Sequence, residues 1–153
     1  MAGLGPALPF QRGTVTVNLS DSDPVHRCLR PGCGRKLTSP ASIARGYGRR
    51  CAAKIRHAAK LADLTAWTES QIEDARQVIE DGAIVPAARA DVFWVVSSDG
   101  SEVHLTHRDG CNCAAGLKTR QPRPCFHRAA VVIVLASQDA AAKASRQPLR
   151  LAA

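Results

Sequence analysis

Cysteine and histidine residues in the second half of the chain fall into two short pairs. Cys111 and Cys113 form a Cys-x-Cys pair, and after eleven intervening residues Cys125 and His127 form a Cys-x-His pair. In extended chain, residues two apart project to the same side, so each pair can offer both of its donors to one ion. Three thiolates and one imidazole are a standard tetrahedral zinc set that leaves no position for water or substrate. The spacing therefore predicts a closed, structural zinc site.

The first half of the chain contains a less complete set of donors, Cys28, Cys33 and Cys51. Four residues separate Cys28 from Cys33, which makes a longer turn than the usual Cys-x-x-Cys knuckle. A fourth ligand could come from His26 or from His57. We favour His26, because residues two apart in extended chain share a side, whereas Cys51 and His57, six apart on a helix, lie on different faces. The sequence predicts a second zinc site whose fourth ligand is open between these two histidines.

Two short helices are predicted around the first set of cysteines. Ser39 followed by Pro40 is typical of a helix N-cap with proline at the first helical position. Gly46 is typical of a residue that ends a helix, so the first helix has two turns at most. A second helix is predicted over residues 51–62.

A third helix and a β-hairpin are predicted in the second half. Residues 68–71 have the sequence of a capping box, which predicts a helix that begins there and ends near Gly82. From residue 91 the apolar residues alternate with a period of two, and Asp99 and Gly100 provide a turn. This pattern predicts a hairpin over residues 91–106.

Residues 129–136 form an unbroken apolar run, for which local propensity favours a buried strand and a helix equally. The Cys-x-Cys, variable loop and Cys-x-His pattern before this run resembles the SWIM-type zinc finger. That family has strands before the first pair and a helix after the last, so the resemblance, over about residues 91–137, implies a helix here. Ala114 departs from the family, because many members have proline at that position. SWIM fingers are expected to bind DNA or proteins.

A second resemblance concerns the first set of cysteines. Residues 33–38, then Ser42 and the Gly-Tyr-Gly segment at 46–48 before Cys51, resemble a short zinc-ribbon-like domain of actinobacterial and phage proteins. That family is uncharacterised, so the resemblance implies metal binding and nothing further.

We predict an α+β fold for a small zinc-stabilised protein. A zinc-ribbon-like unit is followed by a linker helix and then by a SWIM finger, built as a β-hairpin followed by a helix. The predicted segments are a flexible tail (1–25), the zinc-ribbon-like domain (26–64), the linker helix (65–90), the SWIM finger (91–137) and a C-terminal tail (138–153). A short alternating stretch at 14–17 could add one edge strand.

The composition favours a cytoplasmic protein. Residues 1–10 lack a basic leader, and no apolar run reaches membrane-spanning length, so we expect neither a secretory signal nor a membrane anchor. Cysteines at ligand spacing in a reducing compartment favour metal over disulfides. No nucleophile elbow and no paired acids indicate catalysis, so we expect that the protein is not an enzyme and has no small-molecule substrate.

A net charge of +8 favours a polyanionic partner, and we expect nucleic acid, with DNA favoured. Aromatic residues make up only 4% of the chain, so we expect phosphate contacts rather than stacking on unpaired bases. The cations expected to make these contacts are Arg49, Arg50, Lys54, Arg56 and Lys60 in the second helix, and Lys118, Arg120, Arg123 and Arg128 around the second ligand pair. The alternative is a protein-interaction adaptor in which the helix over 69–81 offers its acidic face to a partner.

Overall fold

The computed structural model describes residues 25–118 and 124–146 of the 153-residue chain, with side chains described as far as residue 138. The predicted strand at 14–17 lies outside the described residues. The elements in these ranges are α1 (Pro40–Arg45), α2 (Arg49–Leu61), α3 (Glu69–Glu80), β1 (Ile84–Pro86), β2 (Val92–Val96), β3 (Val103–His107), β4 (Gly110–Cys111) and α4 (Phe126–Arg146). This mixture of helices and antiparallel strands confirms the α+β fold class.

Local capping explains where the first two helices begin and end. The side chain of Ser39 accepts a hydrogen bond from the backbone N–H of Ser42 at 3.3 Å, and Gly46 ends α1 with a φ of 75°. Both observations confirm the predicted cap and stop. α2 begins at Arg49, two residues earlier than predicted, because Gly48 has extended backbone and occupies the N-cap position.

The capping box at the start of α3 is present as predicted. The Thr68 hydroxyl accepts a hydrogen bond from the Gln71 backbone N–H at 3.3 Å, and the Gln71 side-chain oxygen accepts one from the Thr68 N–H at 3.1 Å. Ala75, Val78 and Ile79 are buried, and α3 packs against α4. The predicted linker helix therefore contributes to the hydrophobic core.

The four strands form one antiparallel sheet in the order β1-β2-β3-β4. The β2–β3 pair, in which Val96 lies opposite Val103, confirms the predicted hairpin. The sequence pattern does not predict β1 and β4, which extend the hairpin at either edge. Phe93 and Val95 are buried whereas Trp94 is exposed, so one face of the sheet packs on the core and the other faces solvent.

The apolar run at 129–136 is helical, as the SWIM resemblance implies, and lies within α4. This helix packs against α2, α3 and the sheet. One hydrophobic core includes Tyr47, Phe93 and Ile133, so the predicted zinc-ribbon-like and SWIM segments pack on each other. Neither α4 nor any other helix in the described part of the chain is long and apolar enough to cross a membrane.

Candidate metal centres

The second ligand set comes together as one buried cluster. The sulfur atoms of Cys111, Cys113 and Cys125 and a ring nitrogen of His127 all lie within 4.8 Å of one another. All four residues are buried, and their thiols are free. Cys111 ends β4, Cys125 directly precedes α4, and His127 lies in the first turn of α4. We call these four residues the C-terminal cluster.

The two ligand pairs do not have the extended geometry from which they were deduced. The backbone N–H of Cys113 donates a hydrogen bond to the sulfur of Cys111 at 3.4 Å. The backbone between these two cysteines therefore forms a tight turn and is not extended. The backbone N–H groups of Arg128 and Ala129 both donate to the carbonyl of Cys125, which places that residue at the N-cap of α4. The predicted residues converge, but a tight turn and a helix start bring them together instead of two strands.

Hydrogen bonds around the sulfurs favour negative charge on Cys111. The Cys125 thiol donates to the Cys111 sulfur, and this bond lowers the pKa of Cys111 to about 3 although burial opposes the shift. The fully buried hydroxyl of Thr106 also donates to the Cys111 sulfur, at 3.2 Å. The same pairing raises the pKa of Cys125. A cluster that stabilises thiolate charge in this way is suited to a cation.

His127 provides the test of whether a metal fits this cluster. Neither nitrogen of its buried ring has a partner in hydrogen-bond geometry, although the ring lies close enough to Cys111 to help lower the pKa of that thiol. A buried imidazole without any partner is unfavourable, since buried polar groups are almost always paired. The ring is held by His104, whose centroid lies 4.5 Å away, and by Phe126 at 4.0 Å. A cation between the ring and the three sulfurs would satisfy one nitrogen, so the residues fit a metal ion.

The N-terminal end of α3 holds the chain at this cluster. The indole N–H of Trp67 donates to the carbonyl of Cys125 at 2.9 Å, and the Gln71 side-chain NH₂ donates to the carbonyl of Pro124 at 2.9 Å. The Gln71 side chain thus takes part in the capping box and also binds the backbone next to Cys125. Sequence reasoning gives Gln71 only its role in the capping box, because Pro124 lies 53 residues away along the chain.

Cys28, Cys33 and Cys51 form a second cluster, which we call the N-terminal cluster. Their sulfur atoms lie within 4.8 Å of one another, with 3.5 Å between those of Cys33 and Cys51. Cys28 is buried and the other two are half-buried. A bridge between Arg27 and Lys36 closes the turn that carries the first two cysteines, and Cys51 lies in the first turn of α2. The three cysteines predicted as ligands therefore come together in the structure, as a group that could hold a metal ion.

The structure does not bring a fourth predicted ligand to the N-terminal cluster. His26 and His57 are both exposed, and neither joins the three sulfurs. The carbonyl of His26 accepts a hydrogen bond from the N–H of Leu37. This bond fixes the backbone of His26 next to the turn that carries Cys28 and Cys33. In the described part of the chain, no other histidine, cysteine or carboxylate completes this cluster either.

Arg30 is a residue of this site that sequence reasoning missed. Its side chain is buried, and it donates from Nε to the sulfur of Cys51 at 3.3 Å and from Nη1 to the carbonyl of Ser137 in α4 at 3.4 Å. Burial alone would lower the pKa of Arg30, but the neighbouring cysteine sulfurs outweigh burial and raise it. A buried guanidinium beside three sulfurs favours negative charge on them and ties the cluster to α4.

The predicted phosphate-binding cations have different surroundings. Arg49, Arg50, Lys54 and Lys60 are exposed on α2, and Lys118 is exposed near the C-terminal cluster. Arg56 is exposed but forms an ion pair with Glu80 at 3.3 Å. Arg128 is half-buried, donates to the carbonyl of Arg108 at 3.1 Å and lies 6.0 Å from the ring of Trp67. Arg120 and Arg123 lie outside the described residues.

Together the fold and the clusters define an α+β protein with two thiol-rich sites that could each hold a metal ion. Residues 20–56, which include the N-terminal cluster, match a family described as a family of unknown function (DUF6011). That match covers less than half of the chain and carries no functional description. No curated protein and no solved structure matches the chain.

Proposed function

We propose that the protein is a zinc-stabilised module, SWIM-like in its C-terminal half, that binds nucleic acid through phosphate contacts. The observation that carries the zinc assignment is the C-terminal cluster, with three thiols and one unpartnered imidazole, all buried. Sulfur and imidazole donors in a four-ligand set favour zinc, and a set without an open position is structural. We propose no catalytic activity for this cluster.

Zinc would compensate for the small side chains that α2 contributes to the core. Ala52, Ala58 and Ala59 are the buried residues of α2 besides Ile55. Such a helix removes little apolar surface from water. A structural zinc ion contributes on the order of 10 kcal/mol to folding, which is comparable to the whole stability of a small domain. The proposal therefore makes metal binding a condition of folding.

Nucleic-acid binding is supported by the cations of α2. Arg49, Arg50 and Lys54 are exposed and follow one another within the first two turns. α2 contains no aspartate or glutamate, so nothing along its own sequence offsets this charge. An exposed group of cations on a chain with a net charge of +8 attracts phosphates. Phosphate contacts do not require exposed aromatic side chains, whereas stacking on the unpaired bases of a single strand does. Duplex DNA is therefore the favoured ligand.

The test is a salt series with the zinc-loaded protein, duplex DNA, single-stranded DNA and RNA, with a chelated sample beside each. Replacing Arg49, Arg50 and Lys54 together with alanine should reduce the slope of log affinity against log salt by about 2 to 3 for duplex DNA. Arg76→Ala, which removes an exposed arginine of α3 that pairs with Glu73, is the matched control and should leave the slope unchanged. Absence of binding to all three nucleic acids at low salt would refute the proposal.

A specific observation favours protein binding as the second candidate. Val85, Trp94 and Leu105 lie side by side across β1, β2 and β3 on the outer face of the sheet. They are 41%, 45% and 39% exposed, which is unusual for three adjacent apolar side chains. An adaptor that used this face would bind its partner with little salt dependence and would lose affinity with Trp94→Ala. The two candidates are therefore separated by the same salt series.

A further inference from the structure

Two cavities border the N-terminal cluster, and cationic side chains line both. One has a volume of about 280 Å³ and includes all three cysteines in its lining together with Arg35 and Arg50. The other, of about 410 Å³, adds Arg30 and Lys54 beside Cys33 and Cys51. Because Arg35, Arg50 and Lys54 are exposed and two of the cysteines are half-buried, this side of the cluster is accessible from solvent.

Among the described residues, the N-terminal cluster has three ligands, which leaves one coordination position free. Zinc sites are almost always four-coordinate, and a site with three protein ligands holds a solvent or substrate oxygen in the fourth position. The three sulfurs of the N-terminal cluster lie within 4.8 Å of one another without a fourth donor among the described residues. The cavity lined by all three cysteines provides the space for such a ligand.

The charge around this position selects an anion. Three thiolates outweigh a divalent cation by one negative charge, which the contacting guanidinium of Arg30 compensates. Arg35 and Arg50, which line both cavities, then leave an excess of positive charge, and neither cavity has an aspartate or glutamate in its lining. Two guanidinium groups match the oxygens of a phosphate.

We propose that the N-terminal cluster is an open metal centre whose fourth position takes an oxygen of a phosphate group, held by Arg35 and Arg50, which line both cavities. This inference rests on the proposed metal binding and assigns the place of one phosphate contact. The phosphate could be free or part of a nucleic-acid backbone. Both have the same chemistry toward the metal, so the experiment must distinguish them.

The experiment uses the full chain loaded with Co²⁺, because the visible bands of tetrahedral thiolate-bound Co²⁺ shift when its fourth ligand changes. Titration with inorganic phosphate should shift one set of bands to saturation. Arg50→Ala should raise the phosphate dissociation constant about tenfold, as expected for losing one charge-assisted hydrogen bond. Arg76→Ala is the control, since Arg76 is exposed on α3 and lines neither cavity, and it should change nothing. Cys33→Ser should remove the phosphate-sensitive bands.

A second titration with duplex DNA at low salt separates the two sources of phosphate. A shift with phosphate alone indicates a small-molecule site, and a shift with DNA indicates a backbone contact; either result supports the inference. Bands of the wild-type protein that shift with neither ligand would overturn it, and a change of those bands in His26→Ala would identify His26 as the fourth ligand. Binding of fewer than two Co²⁺ ions per chain would instead refute the metal assignment itself.

Discussion

The two clusters use the same chemistry in different surroundings. In the C-terminal cluster four donors are all buried, and in the N-terminal cluster three donors border cavities lined by arginine and lysine. A metal with four buried protein ligands can contribute only to stability, whereas a metal with three retains a position for another ligand. The comparison suggests that one cluster stabilises the fold and the other is available for binding.

The two clusters also differ in the side chains that form hydrogen bonds with them. Neutral groups hold the C-terminal cluster, namely the Trp67 indole, the Gln71 amide and the Thr106 hydroxyl. A buried charge holds the N-terminal cluster, since Arg30 contacts both Cys51 and the carbonyl of Ser137. Neutral donors position a ligand without changing the net charge of the site. With a divalent cation on three thiolates, the Arg30 guanidinium would offset the remaining negative charge, which would otherwise repel an anionic ligand.

The largest expected effect comes from removing one ligand of each cluster. Cys113→Ser should lose one zinc ion and several of the roughly 10 kcal/mol that a structural zinc contributes to the free energy of unfolding. Cys33→Ser should also lose one zinc ion but destabilise the protein less, because Cys33 is half-buried and its cluster is open on one side. Zinc content and urea unfolding measure both effects. If Cys33→Ser is the more destabilising variant, the assignment of roles to the two clusters is wrong.

A smaller effect is expected for Arg30→Ala. The substitution leaves the carbonyl of Ser137 without this donor and the sulfur of Cys51 without its cation, so we expect a loss of about 1–3 kcal/mol in unfolding free energy. Metal affinity should fall at the N-terminal cluster and stay unchanged at the C-terminal one. Urea unfolding and a chelator competition on the zinc-loaded protein measure these quantities.

Arg27→Ala is the control for this substitution. Arg27 is exposed, lies at the start of the turn that carries Cys28 and Cys33, and donates from Nη1 to the carbonyl of Gly34 at 3.1 Å. Its loss should change stability by less than about 0.5 kcal/mol, as is usual for surface positions. Equal effects of the two substitutions would show that burial of Arg30 beside the sulfurs has no special importance.

The local parts of the fold could be predicted from the sequence. The cap at Ser39, the stop at Gly46 and the capping box at Thr68 depend on residues within one helical turn, and each is present. The β2–β3 hairpin was also predictable, and the seven cysteine and histidine residues that the structure groups into two clusters were all among the predicted ligands. For the apolar run at 129–136, propensity could not choose, and the implied helix depended on the SWIM resemblance.

The remaining parts depend on contacts that are distant in sequence. Arg30 and Ser137 are 107 residues apart, and no local pattern distinguishes this arginine from the exposed ones around it. β1 and β4 have three and two residues, which are too few to show an alternating pattern. They form because their backbones pair with the free edges of the hairpin, β1 with β2 and β4 with β3. His26 was favoured as a ligand on the assumption of extended geometry, but the structure leaves its side chain exposed and outside the cluster.

The smallest effect, and the most selective, is expected for Trp67→Phe. Phenylalanine keeps most of the ring but loses the indole N–H that donates to the carbonyl of Cys125, so we expect a loss of about 1 kcal/mol. Because this hydrogen bond positions only a ligand of the C-terminal cluster, metal affinity should fall there and not at the N-terminal cluster. Trp94→Phe on the exposed sheet face is the matched control and should affect neither. A chelator competition that resolves the two zinc ions checks this, and equal weakening of both would mean that the clusters are coupled through α4 rather than independent.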